Sequence, residues 1–89
     1  MDERVVGGVR HRIMDYFRDN LYSLGDGRVV KVAFEQIERS RRVSKGLDKC
    51  PERFREDHLR AALGGLVSDE FLYHFKGAYI YHPYGGNSL

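Results

Sequence analysis

Cysteine occurs once in this chain, at Cys50, so no intramolecular disulfide can form. Proline occurs twice, and no apolar run approaches the ~18 residues that a membrane-spanning helix needs. The opening Met1-Asp2-Glu3-Arg4 has no apolar core of the kind that marks a secretory signal, which sets the expected location inside a cell, in cytoplasm or nucleus. Glycine pairs stand at Gly7-Gly8, Gly64-Gly65 and Gly85-Gly86, but none has the spacing or the lysine of a phosphate-cradling loop. The histidines His11, His58, His74 and His82 lack the close pairing of a zinc site, so no metal or other cofactor is expected. Cys50 with His58 has the residue types of a thiol nucleophile and its base, yet no third orienting group accompanies them, and an enzyme is not expected.

What remains is an ordinary small globular composition. The 89 residues are 42% hydrophobic and 31% charged, which leaves room for one core and no second domain. Net charge is only +2, but it is unevenly spread. Residues 28–60 hold ten Lys or Arg against six Asp or Glu, while the segments on either side are each slightly acidic. The run Arg39-Ser-Arg41-Arg42-Val-Ser-Lys45 has four positive charges and no acid. Such a patch is the electrostatic footprint of an anionic partner, nucleic acid above all, although a solvated helix end leaves the same string.

Along the chain, residues 1–8 show no period and read as a flexible N-terminal arm. From Val9 to Leu24, Ile13, Phe17, Leu21 and Leu24 recur at helical spacing, with Met14 beside them, until Gly25-Asp-Gly27 stops the run. Arg28-Val-Val30 is a β-branched stretch. Ala33, Phe34 and Ile37 then predict a second helix ending near Arg41, and Val43 to Cys50 reads as a loop pinned by Leu47. Pro51 suits the first turn of a third helix whose inner face is Leu59, Ala62, Leu63 and Leu66. Phe71–Lys76 and Tyr79–Pro83 read as two strands around Gly77-Ala78, with Gly77 first in a type II′ turn. That register puts Phe75 opposite Ile80 and Tyr73 opposite His82 facing inward, and His74, Lys76, Tyr79 and Tyr81 outward. Residues 84–89 read as a C-terminal tail.

The expected class is therefore α+β, a three-helix core with a C-terminal β-hairpin. Three helices, a β-branched stretch between the first two, and a final hairpin resemble a winged-helix domain over residues 9–83. The likeness is greatest in His58-Leu-Arg-Ala-Ala-Leu-Gly-Gly-Leu-Val-Ser-Asp-Glu-Phe-Leu-Tyr73, which is similar to a third helix turning into the first wing strand. Two features depart from the pattern. The link between the second and third helices is about eight residues, longer than in a compact helix-turn-helix. Glu70 also stands where these domains often carry glycine.

The resemblance implies a nucleic-acid-binding protein, such as a small DNA-binding transcriptional regulator or chromatin component, with double-stranded DNA as partner. In that role Arg39, Arg41, Arg42 and Lys45 would grip phosphates, Arg53 and Arg60 on the outer face of the third helix would probe a groove, and Lys76 on the wing would touch backbone. That outer face also carries Asp57, and Arg55 and Glu56 fall close to the buried side. The rival reading is a winged helix that serves as a protein-interaction module or subunit of a larger complex, through Phe54 and the wing tyrosines. A homodimer fits either. The two glycines of the third helix predict a close approach there, by the first helix or by a partner.

Overall fold

A computed structural model describes residues 2–83; the expected tail at 84–89 lies outside them. The first helix, α1, runs from Glu3 to Asp19, six residues earlier than the period from Val9 alone predicts. Residues 3–8 are thus helical rather than a flexible arm. The cause is local: the Asp2 carboxylate accepts the Arg4 N–H at 2.9 Å and the Val5 N–H at 3.4 Å, satisfying two N-terminal donors that would otherwise be orphaned. Half-buried Val5 and Val6 then extend the apolar stripe of Val9, Ile13 and Phe17. The helix also stops earlier than expected, because the Asn20 side chain donates to the Tyr16 carbonyl at 2.8 Å and ends the ladder, leaving Leu24 exposed.

A tight loop carries the chain into β1 (Val30–Ala33). Asp26 shapes it by accepting the Arg28 N–H at 2.8 Å and the Val29 N–H at 3.1 Å. Those two bonds hold the Asp26 carboxyl below its usual pKa. A depressed carboxylate contributes stability above the unfolded value of about 4 and loses it as pH falls through the lower folded one. The expected result is that Asp26→Ala lowers the melting temperature at neutral pH, and that the gap from the parent narrows as thermal melts are repeated at increasingly acid pH.

Two short helices follow, α2 (Phe34–Arg39) and α3 (Arg41–Lys45). Gln36 Oε1 accepts the Ala33 N–H at 3.0 Å at the start of α2. Ser40 breaks the pair apart, extended at φ −64°, ψ 125°, and its hydroxyl accepts the Val43 N–H at 3.5 Å as the N-cap of α3. The second helix therefore ends at Arg39, and Val43–Lys45 is helical rather than loop. Val43 and Leu47 are both buried in the core.

Helix α4 (Glu52–Ser68) lies across α1, burying Leu59, Ala62, Leu63 and Leu66 as its spacing predicts. Of its glycines, Gly64 faces open space, whereas a Cβ on Gly65 would overlap the Arg10 guanidinium, so the close approach comes from α1. The helix ends in a Schellman turn: the Glu70 N–H bonds the Val67 carbonyl at 3.0 Å and the Phe71 N–H bonds the Leu66 carbonyl at 2.9 Å. That turn puts Glu70 at φ 65°, left-handed backbone that glycine takes at no steric cost. Glu70→Gly should raise stability by about 1 kcal/mol, read as a rise of roughly 4–8 °C in melting temperature for a domain of this size.

The chain finishes with β2 (Tyr73–Phe75) and β3 (Ala78–Tyr81). The sheet is antiparallel with order β1-β3-β2, so β1 converts the expected hairpin into three strands. The turn is Lys76-Gly77, both at positive φ (50° and 78°), which is the type I′ pattern with Gly77 second rather than first. The pairs are Tyr73–Ile80, His74–Tyr79 and Phe75–Ala78, two residues from the expected register. A shift of two keeps the same residues together on each face. The faces are nevertheless inverted. Tyr79 is 7% exposed and Tyr81 packs on Phe17 at 5.9 Å, while Phe75 is 64% exposed. The inner side is decided by β1, whose buried Val30 and Val32 lie level with Tyr81 and Tyr79.

Candidate nucleic-acid interface

The seven candidate cations fall into three places. Arg39 closes α2, and Arg41, Arg42 and Lys45 all lie on α3. Arg53 and Arg60 stand on the outer side of α4, and Lys76 is in the hairpin turn. Their side chains differ in what already holds them. Arg42 is ion-paired with Asp19, which ties α3 to the end of α1. Arg60 donates to Glu56 at 3.0 Å and lies over the Phe34 ring at 4.0 Å; the Glu56 bond raises the guanidinium pKa further above its ordinary value. Arg53 covers the Phe54 ring at 4.7 Å, and the Lys76 ammonium sits 5.4 Å from the Phe75 ring centre. Arg39, Arg41 and Lys45 are exposed and have no ion pair among the described residues.

Arg41 and Lys45 are four residues apart on α3 and so share one side of it. That side meets α1. Arg12 Nη1 donates to the Arg42 carbonyl at 3.0 Å, and its aliphatic stem crosses Gly46, where a Cβ would stand 2.8 Å from Arg12 Cδ. Arg4, Gly8, Lys45 and Lys49 line one open cleft of ≈ 560 Å³, whose walls also carry Asp2 and Asp48. Asp2 is occupied in capping α1. The basic run is therefore joined by Arg4, Arg12 and Lys49, none of which stood out in the sequence. Arg4 and Arg12 would have been found from their four-residue spacing through Gly8, had the helix been carried back to residue 3.

The outer side of α4 is electrostatically mixed. The groove between its first turns and the short helices is lined by Glu38, Glu52 and Glu56 as well as Arg53 and Arg55. Asp57 is exposed beside them, and Phe54 is 41% exposed. Arg55 is half-buried rather than strained against the core, because its Nε donates to the Cys50 carbonyl at 3.2 Å and its stem lies along the surface. Glu56 is exposed and turned to Arg60.

Cys50 and His58 do come together, with Sγ 3.4 Å from Nδ1, and both are buried. Nδ1 is also 2.8 Å from the Phe54 carbonyl, which can only accept, so Nδ1 carries the ring proton. Nε2 accepts the Asp2 N–H at 3.3 Å. With both nitrogens committed, the imidazole has no lone pair facing the thiol, and it serves to fasten the start of α1 to α4. No cluster of three or more His, Cys, Asp or Glu that could hold a metal occurs among the described residues, and none of their helices is long and apolar enough to cross a membrane. No family model, curated protein or solved structure matches this chain.

Proposed function

We propose that this chain is a winged-helix domain that binds nucleic acid, gripping the phosphate backbone of duplex DNA with the α3–α1 face, as a small DNA-binding regulator or chromatin component would. The observation that carries this reading is the cleft that sets exposed Lys45 beside Arg4 and Lys49, with exposed Arg41 one turn back on α3 and Arg12 reaching the Arg42 carbonyl. Phosphate contacts position a protein on DNA without reading sequence, and guanidinium and ammonium groups at the surface are their usual donors. The order helix, strand, two short helices, long helix and hairpin, with the first strand beside the last, supports the winged-helix assignment. Arg39 extends the grip from the end of α2. Arg53 and Lys76, whose charges are stacked on rings rather than paired with acids, are available for groove or backbone contacts. Arg60 contributes least, because Glu56 already holds it.

Exposed Phe54 on the mixed-charge side of α4 favours a second reading, in which that side docks a protein in a larger complex. A nitrogen-15 NMR titration with mixed-sequence duplex DNA separates the two. Shifts concentrated at Arg4, Arg12, Arg41, Lys45 and Lys49 are expected for the phosphate grip. Absence of shifts at those amides contradicts it and leaves the Phe54 side as the working surface.

A further inference from the structure

The outward side of the three-stranded sheet is not needed by the α3–α1 grip, and its chemistry is distinct. Because alternate residues of a strand share a face, the register sets Lys31, Ile80 and Tyr73 in one row and Ala33, Ala78 and Phe75 in the next. Phe75 is 64% exposed, Tyr73 is 36% exposed, and Tyr73 meets the His82 ring edge-on at 5.6 Å. The three strands and the Lys76-Gly77 turn contain no Asp or Glu at all; their ionic side chains are Lys31 and Lys76, besides His74, which is stacked flat on Tyr79 at 4.3 Å on the opposite side.

An aromatic sheet face whose formal charges are all positive suits a ligand that is flat, apolar in its plane and anionic at its edge. We propose that this face stacks the unpaired bases of a single-stranded nucleic acid, with Phe75 as the main platform and Lys31 and Lys76 meeting the flanking phosphates. Tyr73 and Phe75 lie about 7 Å apart along β2, two residues at the strand rise, and sheets that bind single strands present aromatics in this way for successive bases. A second copy of the chain fits less well, since a two-fold contact through this face would bring lysines toward lysines, and the strands carry no carboxylate to balance them, Glu70 standing only at the border beside Tyr73 and His82. The inference rests on the reading of the chain as a nucleic-acid binder and adds to it a preference for unpaired segments.

The test uses the full chain with a short oligothymidylate and, in parallel, a mixed-sequence duplex. The chain has no tryptophan, so Phe75→Trp introduces a single fluorophore at the platform while keeping an aromatic ring. Oligothymidylate is expected to quench that tryptophan, and Phe75→Ala to weaken oligothymidylate binding about tenfold, within the range of one stacked base, while duplex affinity, carried by the α3–α1 grip, changes far less. No quenching, or oligothymidylate affinity indifferent to Phe75→Ala, overturns the stacking proposal; if the duplex still binds, the phosphate grip survives it. Failure of both nucleic acids to bind overturns the two readings together. A dimer in solution that Phe75→Ala converts to monomer also overturns it, by showing that the face is a self-interface.

Discussion

Gly25→Ala is expected to cost about 3 kcal/mol or more, which places it in the severe tail of single substitutions. A Cβ on Gly25 would overlap the Val29 carbonyl oxygen and stand 2.8 Å from the Leu21 carbonyl oxygen. Both are backbone atoms of the loop itself, so neither can swing aside as a side chain would. The Leu21 carbonyl also accepts the Gly27 N–H at 3.0 Å, and Gly25 bridges to Val30 at the entrance to β1. Moving either carbonyl therefore disturbs the placement of Val30, which is fully buried, and of the strand that decides which hairpin face is inward. A domain of this length has on the order of 4–13 kcal/mol in all, so the variant should lose roughly 15 °C or more of melting temperature. Gly64→Ala is the matched control. Gly64 faces open space inside α4, four residues before its end, and alanine there should stabilise by about 0.5–1 kcal/mol. Circular-dichroism melts of the two variants, moving in opposite directions from the parent, check the prediction.

The largest functional effect is expected from Arg41→Glu combined with Lys45→Glu. Both side chains are exposed and unpaired among the described residues, so reversing them should change stability by no more than about 1 kcal/mol in all. Their loss as phosphate contacts, at about 1.4 kcal/mol each, amounts to about a hundredfold in duplex affinity. The alanine pair at the same positions should also lower the slope of log affinity against log salt by about 2, one unit per contact removed. Arg60→Gln should leave that slope unchanged, because Glu56 already neutralises the guanidinium. Arg42 is the wrong residue for this test, since its pair with Asp19 fastens α3 to α1 and its removal mixes folding with binding.

Much of the helical architecture was legible because its signals are local. The face Leu59-Ala62-Leu63-Leu66 follows directly from spacing, whereas Glu70 stands out only through the winged-helix resemblance, at a position where those domains often carry glycine. The start of α1 was missed because Gly7-Gly8 reads as a break, whereas the Asp2 cap and the valines around the glycines carry the helix through them. The division at Ser40 was missed because a hydroxyl cap is a single hydrogen bond inside an otherwise helical string. The C-terminal hairpin is present as expected, but its buried face was not legible, for a different reason. Aromatic residues occupy both of its faces, so nothing within Phe71–Pro83 says which side is buried; β1 and Phe17, more than forty positions earlier, decide it.

The same distinction governs the site. The basic run at 39–45 is visible as a string, but its partners Arg4 and Arg12 become neighbours only because α1 is long enough to reach α3. Arg60 looked as open as Arg53 on a helical wheel, and only the geometry shows it turned to Glu56 and covering Phe34.

The most direct measurement of the central claim is a titration of mixed-sequence duplex DNA with the purified chain at about 50 mM and about 200 mM salt. The phosphate grip predicts micromolar or tighter binding at the lower salt that weakens steeply at the higher. No binding at the lower salt, or binding indifferent to salt, would contradict it and turn attention to Phe54 and a protein partner.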